Sequence, residues 1–229
     1  MLKPKKKISK REIKEDRLVT TYFEAQSWFE VNRKRLGTIF TGVLIAAVAV
    51  WFYYNNLSTQ NRAATADLGN ILRYYDQAQY ETAINGSPRE NLRGLKQIVD
   101  EYGGTSSGKL AAFYLGNSYF ALREYEKALE YYKEARVSDP SIMASVTAGI
   151  AACHETQANY VEAARTFERA AKDDEMKLHS AEYLYRAAQN YMMAGEPKKA
   201  EDILKSLKAN YSQSPYAREA DRLLVRASS

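Results

Sequence analysis

Apolar residues recur with helical spacing along most of this chain, and no stretch of any length alternates with the two-residue period of a strand. The pattern predicts an all-α protein. Leu18, Tyr22, Ala25, Phe29 and Leu36 share one helical face, with Val19 and Trp28 at its borders. Ser9-Lys-Arg-Glu12 has the spacing of a capping box, so an amphipathic helix is expected over 9–36, preceded by a disordered basic tail at 1–8. Further on, Leu68, Ile71, Leu72 and Tyr75 give one face, and Leu95, Ile98, Val99 and Tyr102 give another. Asn85-Gly-Ser-Pro88 between them has loop chemistry, because Asn-Gly accepts positive φ and Pro disfavours helix at the residue before it.

Residues 37–54, Gly37 to Tyr54, interrupt the amphipathic pattern because they carry no charge. At about 1.5 Å per residue they reach roughly 27 Å, close to the hydrocarbon thickness of a bilayer. Ile39, Phe40, Val43, Leu44, Ile45, Val48, Val50 and Phe52 together favour insertion by about 2.5 to 5 kcal/mol. The segment therefore reads as a transmembrane helix rather than a buried helix of a soluble domain. Its length, the long acid-containing segment before it and the aromatic cluster after Ala47-Val-Ala49 also fit an uncleaved anchor better than a signal peptide.

Charge orients that anchor. Residues 1–36 hold 11 Lys or Arg against 5 acids, whereas the other 22 bases and 23 acids nearly cancel. The positive-inside rule places the N-terminus in the cytoplasm, with Trp51, Phe52, Tyr53 and Tyr54 as an aromatic belt at the far interface. The basic surplus implies anionic lipid as a partner of the leading segment and gives the main domain no nucleic-acid signature. The amphipathic face has two readings: a helix in the cytoplasmic leaflet, or a docking face for another membrane protein. Gly42, Ala46 and Ala49 could allow a neighbouring helix to approach, which leaves the oligomeric state open. Cys153 is the one cysteine, so no intramolecular disulfide forms; it reads as a small buried residue, with an intermolecular bridge as the alternative.

From Lys109 the chain repeats itself. Leu115, Gly116, Tyr119, Tyr125, Ala128, Tyr132, Ala135 and Pro140 have the spacing of a helix, a tight turn, a second helix and a stop. Small Gly116 and Ala128 suit a close helix crossing, and the tyrosines fill the space between helices. Ala151, Tyr160, Ala163, Phe167 and Ala170 follow 35 residues on, with His154 where Tyr119 stood. Ala188, Tyr191, Gly195, Ala200 and Leu204 follow after 37 more, with Pro197 in place of the turn tyrosine. Tyr74, Tyr80 and Ala83 keep the same relative spacing, as a relic of an earlier copy. The expected organisation is a helical segment with a degenerate repeat at 55–108, then three units and a capping helix from Ser214 at 109–229.

This pattern resembles the tetratricopeptide repeat, with Ala112 in place of the usual early Trp. The resemblance implies an α-solenoid whose concave face, formed by the first helix of each pair, binds protein partners. By position it nominates Leu110, Phe113, Asn117 and Phe120 from the first unit; Ala148, Ala152 and Glu155 from the second; and Tyr185, Gln189, Met192 and Met193 from the third. Such an apolar, Met-containing groove suits an adaptable peptide or helix. Only Asn117 and Arg186 could act in a carboxylate clamp, so an acidic C-terminal peptide is disfavoured. Whether the groove is open or covered by the chain itself is left open.

Gly103-Gly-Thr-Ser-Ser-Gly-Lys109 has phosphate-loop spacing, but Leu110 stands where Ser or Thr must hold Mg²⁺ and helix rather than strand precedes it. It reads as a helix-to-helix turn, with Ser106 or Ser107 as cap. His154 and His179 lie in different units without metal-ligand spacing, so no metal or cofactor is implied and nothing points to an enzyme. The whole layout is similar to the membrane-anchored repeat proteins of bacterial envelopes, in particular the ancillary subunit family of the SecYEG translocon. That resemblance implies a bacterial inner-membrane, single-pass protein with its repeats in the periplasm. Its partners would be secretion-channel subunits, periplasmic chaperones or exported polypeptides. The alternative is an envelope scaffold for outer-membrane assembly or cell division.

Overall fold

The computed structural model describes residues 10–227, with side chains over 19–225. The basic tail at 1–8 and the Ser9 cap lie outside the described residues. Ten α-helices and one two-stranded ribbon make up the described chain, which divides into two units at Asn56 and Leu57.

Helix α1 runs from Lys10 to Asp76 without a break. In the first unit the side chains of Ile39, Phe40, Val43, Leu44, Ile45 and Val48 are all exposed, and 0% of the most apolar window of the helix is buried. A core helix of that composition would be covered; this one is a candidate membrane span.

The second unit is a stack of helix pairs. The end of α1 turns into α2 (Tyr80–Asn85) and α3 (Leu95–Tyr102), followed by α4 (Ser106–Ala121) with α5 (Tyr125–Glu134), α6 (Pro140–Thr156) with α7 (Tyr160–Asp173), α8 (Ser180–Met193) with α9 (Pro197–Asn210), and α10 (Pro215–Ala227). Each pair is joined by the same turn. Ala78, Arg123, Ala158 and Gly195 adopt φ of 56°, 63°, 59° and 75°. The amide of the next residue in each turn is bonded back across it: Gln79 to Tyr74 O, Glu124 to Tyr119 O, Asn159 to His154 O and Glu196 to Tyr191 O, at 2.8 to 2.9 Å. These are Schellman closures that satisfy carbonyls left orphaned at a helix end. Ala83, Ala128, Ala163 and Ala200 follow at the same place in each second helix, each fully buried, because a larger side chain would hold the paired helices apart. The relic at Tyr74–Ala83 is thus a fourth unit with intact turn geometry.

What degrades that unit is an insertion. Its second helix is split between α2 and α3 by a small antiparallel ribbon, β1 (Gly86–Ser87) with β2 (Leu92–Arg93), around the 3-10 turn Pro88–Glu90. The loop expected at Asn85–Pro88 is therefore part of a hairpin. A Cβ on Gly94 would lie 2.3 Å from Ile84 O, and one on Gly86 2.3 Å from Leu92 O, so only glycine lets the ribbon close. Glu90 ties it to α1 by accepting from Arg73 (2.9 Å) and the Tyr74 hydroxyl (2.6 Å), and Arg93 bonds Asp67 at 3.0 Å.

Pro140 opens α6 as its first residue, with five residues between it and the end of α5 at Glu134, so it starts a helix rather than stopping one. Asp139 caps it, accepting from Ile142 N at 3.0 Å. At the far end Ala217, Ala220 and Leu223 of α10 cover Leu204 and Leu207 of α9.

Candidate partner-binding groove

The nominated residues lie on α4, α6 and α8, the first helices of their pairs, and lateral contacts join each such helix to the next. Asn117 on α4 donates through Nδ2 to the Tyr75 hydroxyl of α1 (3.2 Å) and accepts through Oδ1 from the Tyr132 hydroxyl (2.7 Å). Phe113 stands beside it, 6.4 Å from the Tyr132 ring, and Leu110 packs on the same cluster. Phe120 reaches forward onto the cluster that holds the buried Ala148 and Ala152 of α6, with its ring 5.2 Å from Tyr125. Glu155 on α6 pairs with Arg186 on α8 at 3.1 Å, and that guanidinium lies over the Phe167 ring at 5.0 Å. Tyr185 on α8 meets Tyr216 on α10 with centroids 5.6 Å apart. Burial, then the nearby Glu219 carboxylate, pushes the Tyr185 phenol above its ordinary range.

Two consequences follow for binding. The polar groups of this face are already committed within the chain: Asn117 to two tyrosines, Glu155 and Arg186 to each other. Neither residue that could serve a carboxylate clamp is disengaged. The apolar side chains on the same face keep some exposure: Phe113, Phe120 and Met192 are half-buried, as is the polar Gln189, and Met193 is 63% exposed. At the α10 end, Tyr216 covers part of the face around Tyr185.

Tyr75 was missing from the residues nominated by sequence. It occupies in the relic unit the place that Phe120, Glu155 and Met192 occupy in the other three, and the spacing that aligned Tyr74 with Tyr119 was the available signal. Gly149 was also missed. A Cβ there would lie 2.6 Å from the Tyr132 ring, and one on Gly116 2.7 Å from it, so two glycines on α4 and α6 grip one aromatic ring. Burial raises the Tyr132 phenol far above its usual value, so it remains a neutral donor to Asn117.

The phosphate-loop spacing folds into the turn between α3 and α4. Its cap is Thr105 rather than Ser106 or Ser107: Thr105 Oγ1 accepts from Gly108 N at 3.0 Å, and Ser107 N donates to Asn61 Oδ1 at 2.9 Å. The amides of Ser107 and Gly108, in the first turn of α4 where a phosphate would bind, are thus occupied. Cys153 is fully buried, and burial, followed by the field of Glu126, pushes its thiol up to about 12.

Tetratricopeptide-repeat family models match residues 110–142 and 154–215. Among solved structures the chain is similar to nearly identical TPR-like repeats of a kinesin light chain from Podosopora anserina. The TM-score is 0.54 at 16% identity, over 73% of this chain and 86% of that one. A substituted form of the same repeats gives a TM-score of 0.56 at 17% identity, over 73% and 85%. At such identity these likenesses concern the fold. No curated protein matches the chain by sequence.

Proposed function

Because the second unit is a solenoid of tetratricopeptide repeats, a fold that serves as a scaffold for protein partners, we propose that this chain is a non-catalytic adaptor held in a bacterial inner membrane by one span. The solenoid faces the periplasm, and the concave face of α4, α6 and α8 takes helical or extended apolar segments of partners at the secretion channel, its chaperones or its exported clients. The observation that carries this reading is the division of labour on that face. Its charged and amide groups are satisfied internally, whereas Phe113, Phe120, Met192 and Met193 keep surface to offer. A Met-containing apolar surface re-packs around varied ligands, as an adaptor for many clients requires. Support for the anchor comes from the uncharged, wholly unburied window of α1 and the basic surplus before it.

Protease added to the outside of spheroplasts tests the topology. The solenoid is expected to be digested without lysis, leaving an alkali-resistant membrane fragment that contains residues 37–54. Digestion only after lysis would place the repeats in the cytoplasm and contradict the reading.

A further inference from the structure

We propose that α1 pairs with the α1 of a second copy of this chain, parallel and in register, through a seam that begins at Tyr22 and runs into the span. This inference rests on the reading of residues 37–54 as membrane-spanning.

Tyr22, Ala25, Phe29, Asn32, Leu36 and Ile39 are spaced 3, 4, 3, 4 and 3 residues apart. That alternation has a mean of about 3.5 residues, the repeat of a left-handed two-helix seam rather than of a lone amphipathic helix. Among the described residues no other element covers the seam: Tyr22, Phe29 and Ile39 are 67%, 57% and 62% exposed.

The unbroken course of α1 through the span argues against lipid as the cover. No turn or break separates Leu36 from Gly37, so the helix leaves the bilayer along the axis on which it crossed it. At about 1.5 Å per residue, Tyr22 stands roughly 22 Å beyond the start of the span. A helix lying in the interface buries its apolar face only about 5–10 Å deep, so head groups do not reach Tyr22 while α1 stays straight.

Three features select a second copy as the occupant. Membrane insertion fixes both copies with the same end in the cytoplasm and at the same height, so a parallel, level pairing needs no further search and is favoured by the high local concentration. In that arrangement Asn32 meets Asn32 of the partner inside an otherwise apolar seam. Its Nδ2 donates to Trp28 O at 2.8 Å, and a shift in register would set the rest of its amide against apolar side chains, where a polar group without a partner is costly. From Tyr22 to Ile39 two copies would together hide on the order of 1,000 Å², about the floor for a specific interface, before the span adds its own contacts. Arg33 and Arg35 flank the seam and repel across it, but they lie within a turn of the span, where anionic head groups screen them.

Disulfide trapping in native membranes tests this. In a Cys153→Ala background, Ala25→Cys is expected to give a disulfide-linked homodimer on oxidation, and Ser27→Cys, on the opposite side of α1, is not. Adding Phe29→Asp should abolish the dimer while the amount of protein in the membrane is unchanged. Equal dimer yield from both cysteines, no dimer from either, or an adduct with a different protein would overturn the pairing while alkaline extraction still leaves the chain in the membrane. Release of the chain by alkaline extraction would instead overturn the span, and the pairing with it.

Discussion

Arg123 holds a left-handed backbone at φ 63° in the turn between α4 and α5, where Gly195 serves the equivalent turn of the third unit. The left-handed region costs an L side chain about 1–2 kcal/mol relative to the right-handed one. The two hydrogen bonds that close the turn, Arg123 N to Phe120 O and Glu124 N to Tyr119 O, hold it there. Arg123→Gly is therefore expected to raise stability by up to about 1 kcal/mol, seen as a higher thermal midpoint of the detergent-solubilised chain. A lowered midpoint would mean that the arginine side chain supplies more than the backbone strain removes.

Asp174, between α7 and α8, makes stability depend on pH. Burial alone would raise its carboxyl, but donation from His179 N (2.8 Å) and the Ser180 hydroxyl (2.9 Å) outweighs that, and the net direction is downward. A carboxyl lowered in the folded state contributes stability above its unfolded value, about 3.9, and loses it as pH falls through the folded value. Asp174→Ala should thus cost about 1–3 kcal/mol at neutral pH, and the gap between variant and parent should narrow only below about pH 4. A gap independent of pH would assign the effect to packing rather than to the carboxylate.

At the scale of elements, the repeat frame was legible because each buried position has one steric requirement. Ala83, Ala128, Ala163 and Ala200 stand at the same place in four turns, and all four are fully buried. The ribbon at Gly86–Arg93 was not legible. Two strands of two residues have no period to detect, and their closure depends on backbone contacts of Gly86 and Gly94 that only the fold creates. Pro140 was legible as a boundary but not as the side of the boundary it serves, since proline ends one helix and opens the next for the same missing N–H. The terminal helix carries its own prediction. α10 covers Leu204 and Leu207, both fully buried, and each such side chain contributes about 1.5–3 kcal/mol by burial. Truncation after Ser214 should lower the thermal midpoint and promote aggregation. A truncated chain that melts like the parent would show that α9 already ends the stack.

At the scale of the molecule, repeat positions were enough to place the nominated residues on α4, α6 and α8, because the first helix of each pair recurs in the same frame. The state of the groove could not be read that way. That Asn117 is held by Tyr75 and Tyr132, and Glu155 by Arg186, depends on side chains 15 to 42 residues apart that only the stack brings together. Those links convert a face of mixed chemistry into one that offers aromatic rings and methionines. Photocrosslinking in native membranes from probes at Phe113, Phe120 and Met193, with Arg136 outside the groove as control, tests whether this face binds partners. Adducts from the groove positions alone, to secretion-channel subunits, chaperones or emerging chains, are the predicted result. Adducts equally frequent from Arg136, or none from the groove, would contradict the assignment of that face.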